Sequence, residues 1–251
     1  MPMQDNWGTI SFLIFYLAFI WVLLILAIIK NLKNPKLKPT SSVWKWTFLA
    51  YFFLGFGDIF HLGLRIYLFL ANIPLDSDLT RNFLGIGYTI TGITMTYFYI
   101  AFLHAWSKQY GNKYSTPSKV KLYISIVYIA FIIRIFLIFL PYNHWFDFVP
   151  PLDFGFDFRI ITSLPLYVIG LTAVGLIYMH SNEERKEFTG INVNVNKANY
   201  LASIWFMVSF ICYSITLFAV VYIPLTGLFM IPKTTAYLVA LYYHYKYLLS
   251  K

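Results

Sequence analysis

Sulfhydryl chemistry is nearly absent from this chain, which has one cysteine, Cys212, in 251 residues. That excludes an intrachain disulfide and a metal site built on cysteines. The histidines at 61, 104, 144, 180 and 244 are scattered, with no His-x-x-x-His or Glu-x-x-His pair to suggest a metal held on a helix. No Gly-x-Ser-x-Gly elbow and no Walker sequence occurs. Charge is scarce as well. Acidic and basic residues make up 12% of the chain against 59% hydrophobic ones, where soluble domains average about 25% and 45–50%. A soluble class is thereby excluded.

What is present is apolar length. A membrane-crossing helix needs about 20 mostly apolar residues, and seven such runs are found, at 8–30, 43–70, 82–107, 120–140, 157–180, 198–222 and 226–248. The linkers, such as 31-NLKNPKLKPTSS-42 and 108-KQYGNKYSTPSK-119, are too short for a folded module. The expected architecture is all-α: a polytopic integral membrane bundle of seven transmembrane helices forming a single domain over 1–251. The N-terminal MPMQDNWG lacks a basic signal-peptide region, so the first span is expected to stay in the mature chain.

Charge sets the expected orientation. Lys30, Lys33, Lys36, Lys38 and Lys45 flank the first connection, and Lys108, Lys113, Lys119 and Lys121 the third. Arg185, Lys186 and Lys197 lie at the fifth, and Lys246 and Lys251 at the C-terminus. The alternate loops carry Asp76, Asp78, Asp147, Asp153 and Asp157. By the positive-inside rule the N-terminus is outside and the C-terminus cytoplasmic, in a multi-pass protein of the cell membrane. The net charge of +9 then reflects topology and contact with anionic membrane lipids, and points away from nucleic acid.

Ionisable side chains inside the bilayer cost about 2.5–3.5 kcal/mol each and usually face a cavity or a partner. In 55-GFGDIFHLGLR-65 the residues Asp58, His61 and Arg65 are spaced i, i+3, i+7, which places them on one face of a regular helix together with Tyr51 and Gly55. Gly55 and Gly57 would let a neighbour approach closely. Arg134 on the fourth span and Lys233 on the seventh fall at a depth similar to Arg65, roughly 10 Å below the outer surface. Arg159 lies just above, and Tyr97 on the third span adds a phenol. Two readings stay open. Asp58 neutralises Arg65 as a structural ion pair bridged by His61, or the face lines a polar chamber. Surplus positive charge below the outer surface suits an anionic amphiphile or a small anionic ligand, held by Arg65, Arg134, Lys233, Arg159 and Tyr97.

The stretch 54-LGFGDIFHLGLR-65, with 83-FLGIGYTITGITMTYFYIAF-102 after it, resembles the first signature of the lysoplasmalogenase family, in which a Leu-x-Gly-Asp element precedes a helix ending in aromatics. Gly57-Asp58 and Arg65 match that element, over about a fifth of the chain. The family carries a second helical aspartate and usually eight spans, and neither is found here, so the carry-over reaches Asp58 alone. The resemblance implies an intramembrane hydrolase. In such an enzyme Asp58 serves as general acid or base with His61 sharing a proton or orienting water, while the cations position the headgroup, with no metal or organic cofactor. The alternative is a transporter or receptor for a small anion, with Asp58 and His61 as a proton relay.

Overall fold

A computed structural model describes residues 7–33, 41–74, 77–146, 154–184, 193–220 and 222–250. The apolar runs form seven helices long and apolar enough to cross a membrane: α1 Trp7–Lys33, α2 Ser42–Leu70, α3 Asp78–Gly111, α4 Pro117–Ile138, α5 Phe158–Glu184, α6 Val193–Ala219 and α7 Leu225–Leu249. The described residues contain no strand. This is the pattern of a multi-pass membrane protein, and the helix bounds agree with the expected runs to within a few residues.

Local chemistry sets the helix ends. Ser77 accepts from the Thr80 amide at 3.2 Å to open α3. Thr116 does the same for Lys119 at 3.4 Å, with Pro117 next, at the first helical position. Asn72 closes α2 with φ 52°, its neighbour Ile73 donating to the Leu68 carbonyl at 3.0 Å. After α4 the Asn143 amide donates to the Leu137 and Leu140 carbonyls at 2.6 and 3.1 Å, and Trp145 Nε1 donates to Ile138 at 2.9 Å.

α3 runs through the centre of the bundle. Every residue from Phe98 to Leu103 is buried, which a helix with one lipid-facing side does not allow. α2 and α5 pack along it, and α6 packs along α7. α1 instead buries one stripe, Ile10, Leu13, Tyr16, Ile20 and Leu24, and exposes Ile14, Phe15, Val22 and Ile25 on the other side. The α2 glycines fit two different neighbours. A Cβ on Gly55 would lie 2.9 Å from Ile20 of α1, and one on Gly57 would overlap Thr94 Oγ1 of α3.

Contacts at the two ends fix which termini are neighbours. Trp7 packs on Phe69, and Arg159 reaches Asn143 and His144, at what we call the Asn72 end. Trp44 donates to the Leu249 carbonyl and Tyr114 to Glu184 at the other, the Tyr110 end. The stretches 34–40, 147–153 and 185–192, which carry Lys36, Lys38, Asp147, Asp153, Arg185 and Lys186, lie outside the described residues, as does Asp76.

One departure from regular geometry bears on the site. α2 is not a continuous α-helix: directly after Asp58 it widens into a π turn over Ile59–Gly63. Such a turn accommodates about one extra residue and rotates the remainder of the helix by about 100° relative to an uninterrupted one. The single face expected for Asp58, His61 and Arg65 is broken there. The wide turn rests on Gly87 of α3, where a Cβ would meet the Phe60 carbonyl oxygen at 2.7 Å. Thr91 donates to the Gly57 carbonyl at 3.0 Å just before the turn begins. π turns also end α3 at Ser107–Gly111 and α7 at Tyr245–Leu249.

Candidate functional site

Asp58 ends the regular part of α2 and is 7% exposed. Its Oδ2 accepts from the Tyr16 hydroxyl of α1 at 2.6 Å, a length in the strong, charge-assisted range. The cation whose charge acts on Asp58 is Lys233 of α7. The ion pairs within 4 Å among the described residues are Arg81–Asp78 and Lys113–Glu184, so Asp58 closes no direct pair with Arg65 or with Lys233. The rotation at the π turn is the physical reason Arg65 does not fall into register with Asp58.

Lys233 is half-buried and sits over the Tyr213 ring of α6, its Nζ 4.8 Å from the ring centre, a cation–π contact. Its charge acts on Asp58, on His61 and on Cys212. His61 lies within the π turn. Its ring is 5.0 Å from that of Tyr88, its Nδ1 is enclosed without a hydrogen-bond partner among the described residues, and both Arg65 and Lys233 act on it. Lys233 is therefore within electrostatic range of both Asp58 and His61, Arg65 acts on His61, Tyr16 bonds Asp58, and Tyr213 lies against Lys233.

Arg134 stands beside this group. It is 5% exposed, and its guanidinium meets neutral oxygens: Nε donates to Thr96 Oγ1 at 2.9 Å and NH1 to the Thr162 carbonyl at 2.5 Å. No carboxylate among the described residues acts on it; the group within electrostatic range is the neutral Tyr213 phenol. The Tyr213 hydroxyl also shares a hydrogen bond with Ser163 at 3.0 Å, one residue from Thr162. Tyr213 thus touches Lys233 with its ring and, with its hydroxyl, the residue next to the one whose carbonyl receives Arg134. Close by, Tyr99 and Tyr237 join hydroxyls at 3.0 Å, and Tyr167 bonds Ser214 at 2.8 Å.

The other two candidates lie elsewhere. Arg159 sits in the first turn of α5 and turns to the connection after α4, where Nε donates to the Asn143 carbonyl at 2.6 Å, the second terminal nitrogen donates to that of His144, and the side chain lies over Trp145. Tyr97 is 38% exposed on the outside of the bundle, between Phe53 and Phe131 with ring centres 5.1 Å away on each side. Its neighbour Thr96 takes the inward position, one helical step of about 100° away.

Reading the residues by type missed Tyr16, Tyr213, Thr96 and Thr162. The signal for Tyr16 was a hydroxyl in the most apolar span. For Tyr213 it was a phenol mid-span, away from the interface where aromatic residues gather.

A second buried polar chain lies toward the Tyr110 end. Tyr51 OH and His244 Nδ1 are 2.7 Å apart, and His244 Nε2 and Asn199 Oδ1 2.9 Å. Asn199 donates to Tyr110 at 2.9 Å, and Tyr110 donates to Asn196 at 2.9 Å. Because Asn199 offers its oxygen, His244 Nε2 must carry the hydrogen. Nδ1 of the neutral ring is then the acceptor for Tyr51. The Phe98 ring separates this chain from the other: it packs against Tyr51 at 6.0 Å and against Tyr237 at 5.6 Å.

Among the described residues no three His, Cys, Asp or Glu side chains gather to hold a metal. No family model, no curated protein and no solved structure matches the chain.

Proposed function

We propose that the protein binds an anionic ligand inside the membrane, as a receptor or carrier, between Arg134 and Lys233. Arg134 carries the reading: a guanidinium buried among helices, hydrogen-bonded to neutral oxygens, with no carboxylate among the described residues acting on it. Burying an unpaired charge costs several kcal/mol, and such residues inside membranes mark ligand or ion paths. Lys233 adds a second cation without a direct ion pair among the described residues. Asp58 shares its negative charge between Tyr16 and Lys233, so it offsets one cation at most. A phosphate or carboxylate headgroup would supply what is missing, with bidentate geometry at the guanidinium. In the orientation set by the lysine-rich connections, the Asn72 end faces outward and the ligand enters from that side.

Thermal unfolding in detergent tests the reading. Inorganic phosphate or dodecyl phosphate should raise the midpoint in proportion to the logarithm of concentration, and Arg134→Gln should abolish the shift. Midpoints unmoved by either anion would end the proposal.

The Asp58–Tyr16 bond favours one further reading, an intramembrane hydrolase resembling the lysoplasmalogenases. A carboxyl group enclosed in an apolar bundle and held by a phenol is equipped to exchange a proton with a substrate. Asp58 would have to serve as both acid and base, and the headgroup would rest on Lys233 and Arg134. Reconstituted protein should then release aldehyde from a lysoplasmalogen, and Asp58→Asn should remove turnover while leaving phosphate-induced stabilisation in place. Absence of turnover in the wild type leaves binding as the function.

A further inference from the structure

At the Tyr110 end two lysines from different helices meet on one aromatic ring. Lys197 of α6 places its Nζ 5.5 Å from the centre of the Tyr247 ring, and Lys246 of α7 places its own 5.4 Å from the same centre. Lys246 also lies 5.8 Å from the Tyr242 ring, and Tyr243 stacks on Tyr247 with ring centres 6.4 Å apart. The π turn Tyr245–Leu249 carries this group, and Trp44 of α2 holds its end by donating to the Leu249 carbonyl at 3.2 Å. Lys197 and Lys246 are both exposed. Neither has a carboxylate within 4 Å among the described residues, and the Tyr247 hydroxyl has no hydrogen-bond partner among them. Two like charges gathered on one ring repel each other, and the ring offsets only part of that. An anion would offset the rest.

The surface beside the lysines says which anion. Ile231, Thr235, Val239, Tyr242 and Lys246 recur at steps of four, four, three and four residues, so they share one side of α7. Ile231 is 42% and Tyr242 44% exposed, which makes this side a mostly apolar strip that ends in a cation. A soluble anion would use the lysines alone, whereas a phospholipid would use the lysines and the strip.

We infer that Lys197, Lys246 and Tyr247 bind the phosphate of a membrane lipid of net negative charge, with an acyl chain lying along the Ile231–Tyr242 side of α7. The site is separate from the one between Arg134 and Lys233 and does not depend on it. The two ammonium groups take phosphate oxygens and the Tyr247 hydroxyl donates a third hydrogen bond. The Tyr247 ring holds the lysine stems together. A choline or ethanolamine headgroup would bring its own cation against the lysines and is disfavoured. In the orientation set by the lysine-rich connections this end meets the cytoplasmic leaflet, whose surface is anionic.

Native mass spectrometry of the full chain in a neutral detergent tests this, with dioleoyl phosphatidylglycerol and dioleoyl phosphatidylcholine titrated in turn. The first phosphatidylglycerol should bind at least about tenfold more tightly than phosphatidylcholine, as two lysines beside one anion predict. Lys197→Gln with Lys246→Gln should bring that ratio to within about twofold. Lys197→Arg with Lys246→Arg should keep it, which guards against a glutamine pair that fails to fold. Lys119→Gln with Lys121→Gln removes the same charge from the same end, on α4, which packs against α3 and α5, and should leave the ratio unchanged. Tyr247→Leu alters no charge and should still lower the ratio about threefold or more.

Equal losses from the two glutamine pairs would reduce the effect to bulk charge and overturn the site. A preference that survives Lys197→Gln with Lys246→Gln would overturn it too. Glycerophosphoglycerol, the same headgroup without chains, should not displace the lipid at equal concentration; displacement would make a soluble phosphate ester the ligand and overturn the lipid. Arg134→Gln should leave the ratio intact, and loss of the ratio in that variant would put the lipid in the inner site and overturn this one.

Discussion

Asp58 takes its hydrogen bond from α1 and its opposing charge from α7, although the sequence sets it beside His61 and Arg65. That arrangement gives a specific expectation for paired substitutions. Asp58→Asn keeps the shape and the Tyr16 contact but leaves Lys233 without counter-charge, and should lower stability by about 1–3 kcal/mol. Adding Lys233→Met should return part of the loss, whereas adding Arg65→Gln should return none. Melting temperatures of the single and double variants in detergent measure this. Rescue by Arg65→Gln would show that the ion pair along α2 was the true one. Asp58, Lys233 and Arg134 were legible in the sequence because charge within an apolar run has to be explained. Tyr16 and Tyr213 were not, because the chain has 21 tyrosines and most of those in a membrane protein need no partner beyond the interface. Arg159 and Tyr97 matched the others in type and approximate depth. Depth along a helix does not say which way a residue faces, and both lie away from the Asp58–Lys233 group.

At the scale of elements, the spans were readable to within about five residues, since bilayer thickness imposes their length, whereas the caps at Ser77 and Thr116 start α3 and α4 a few residues before the apolar runs begin. The π turn was not readable. It leaves no periodicity of its own in five residues, Ile59–Gly63, and its support comes from Gly87 and Thr91 of another helix. Its neighbourhood tolerates no added bulk. Gly57→Ala would drive a methyl group into Thr94 Oγ1, and should destabilise by about 1–3 kcal/mol through overpacking. Thr94→Ala in the same chain should relieve most of that. Denaturation of the wild type and the two variants checks it: a Gly57→Ala protein as stable as wild type would mean that α2 and α3 are not in this close contact.

For the whole molecule, the number of spans was legible and their arrangement around α3 was not, because the sequence does not say which stripes meet. The orientation stays an expectation drawn from lysine placement, much of it on stretches outside those described. Cys212 makes its test simple: the chain's one thiol is buried and can be replaced by alanine to give a cysteine-free background. In that background Asn72→Cys should react with an impermeant maleimide applied to intact cells, and Lys113→Cys should react after the membrane is opened. The reverse pattern would turn the Arg134–Lys233 site toward the cytoplasm.

The chain from Tyr51 to Asn196 has a consequence of its own, which is polarity of roles. Every hydrogen in it points the same way: Tyr51 to His244, His244 to Asn199, Asn199 to Tyr110, Tyr110 to Asn196. Each inner member gives once and receives once along four helices, so none can be inverted alone. Exchanging the Asn199 amide nitrogen for an oxygen, as aspartate does, would leave Tyr110 no donor to accept from. Tyr110 would have to turn its hydrogen back toward residue 199, and Asn196 would lose what it receives. One atom changed on α6 would thus leave the Tyr51–His244 half as it is and reverse the half that runs on through α3 to Asn196.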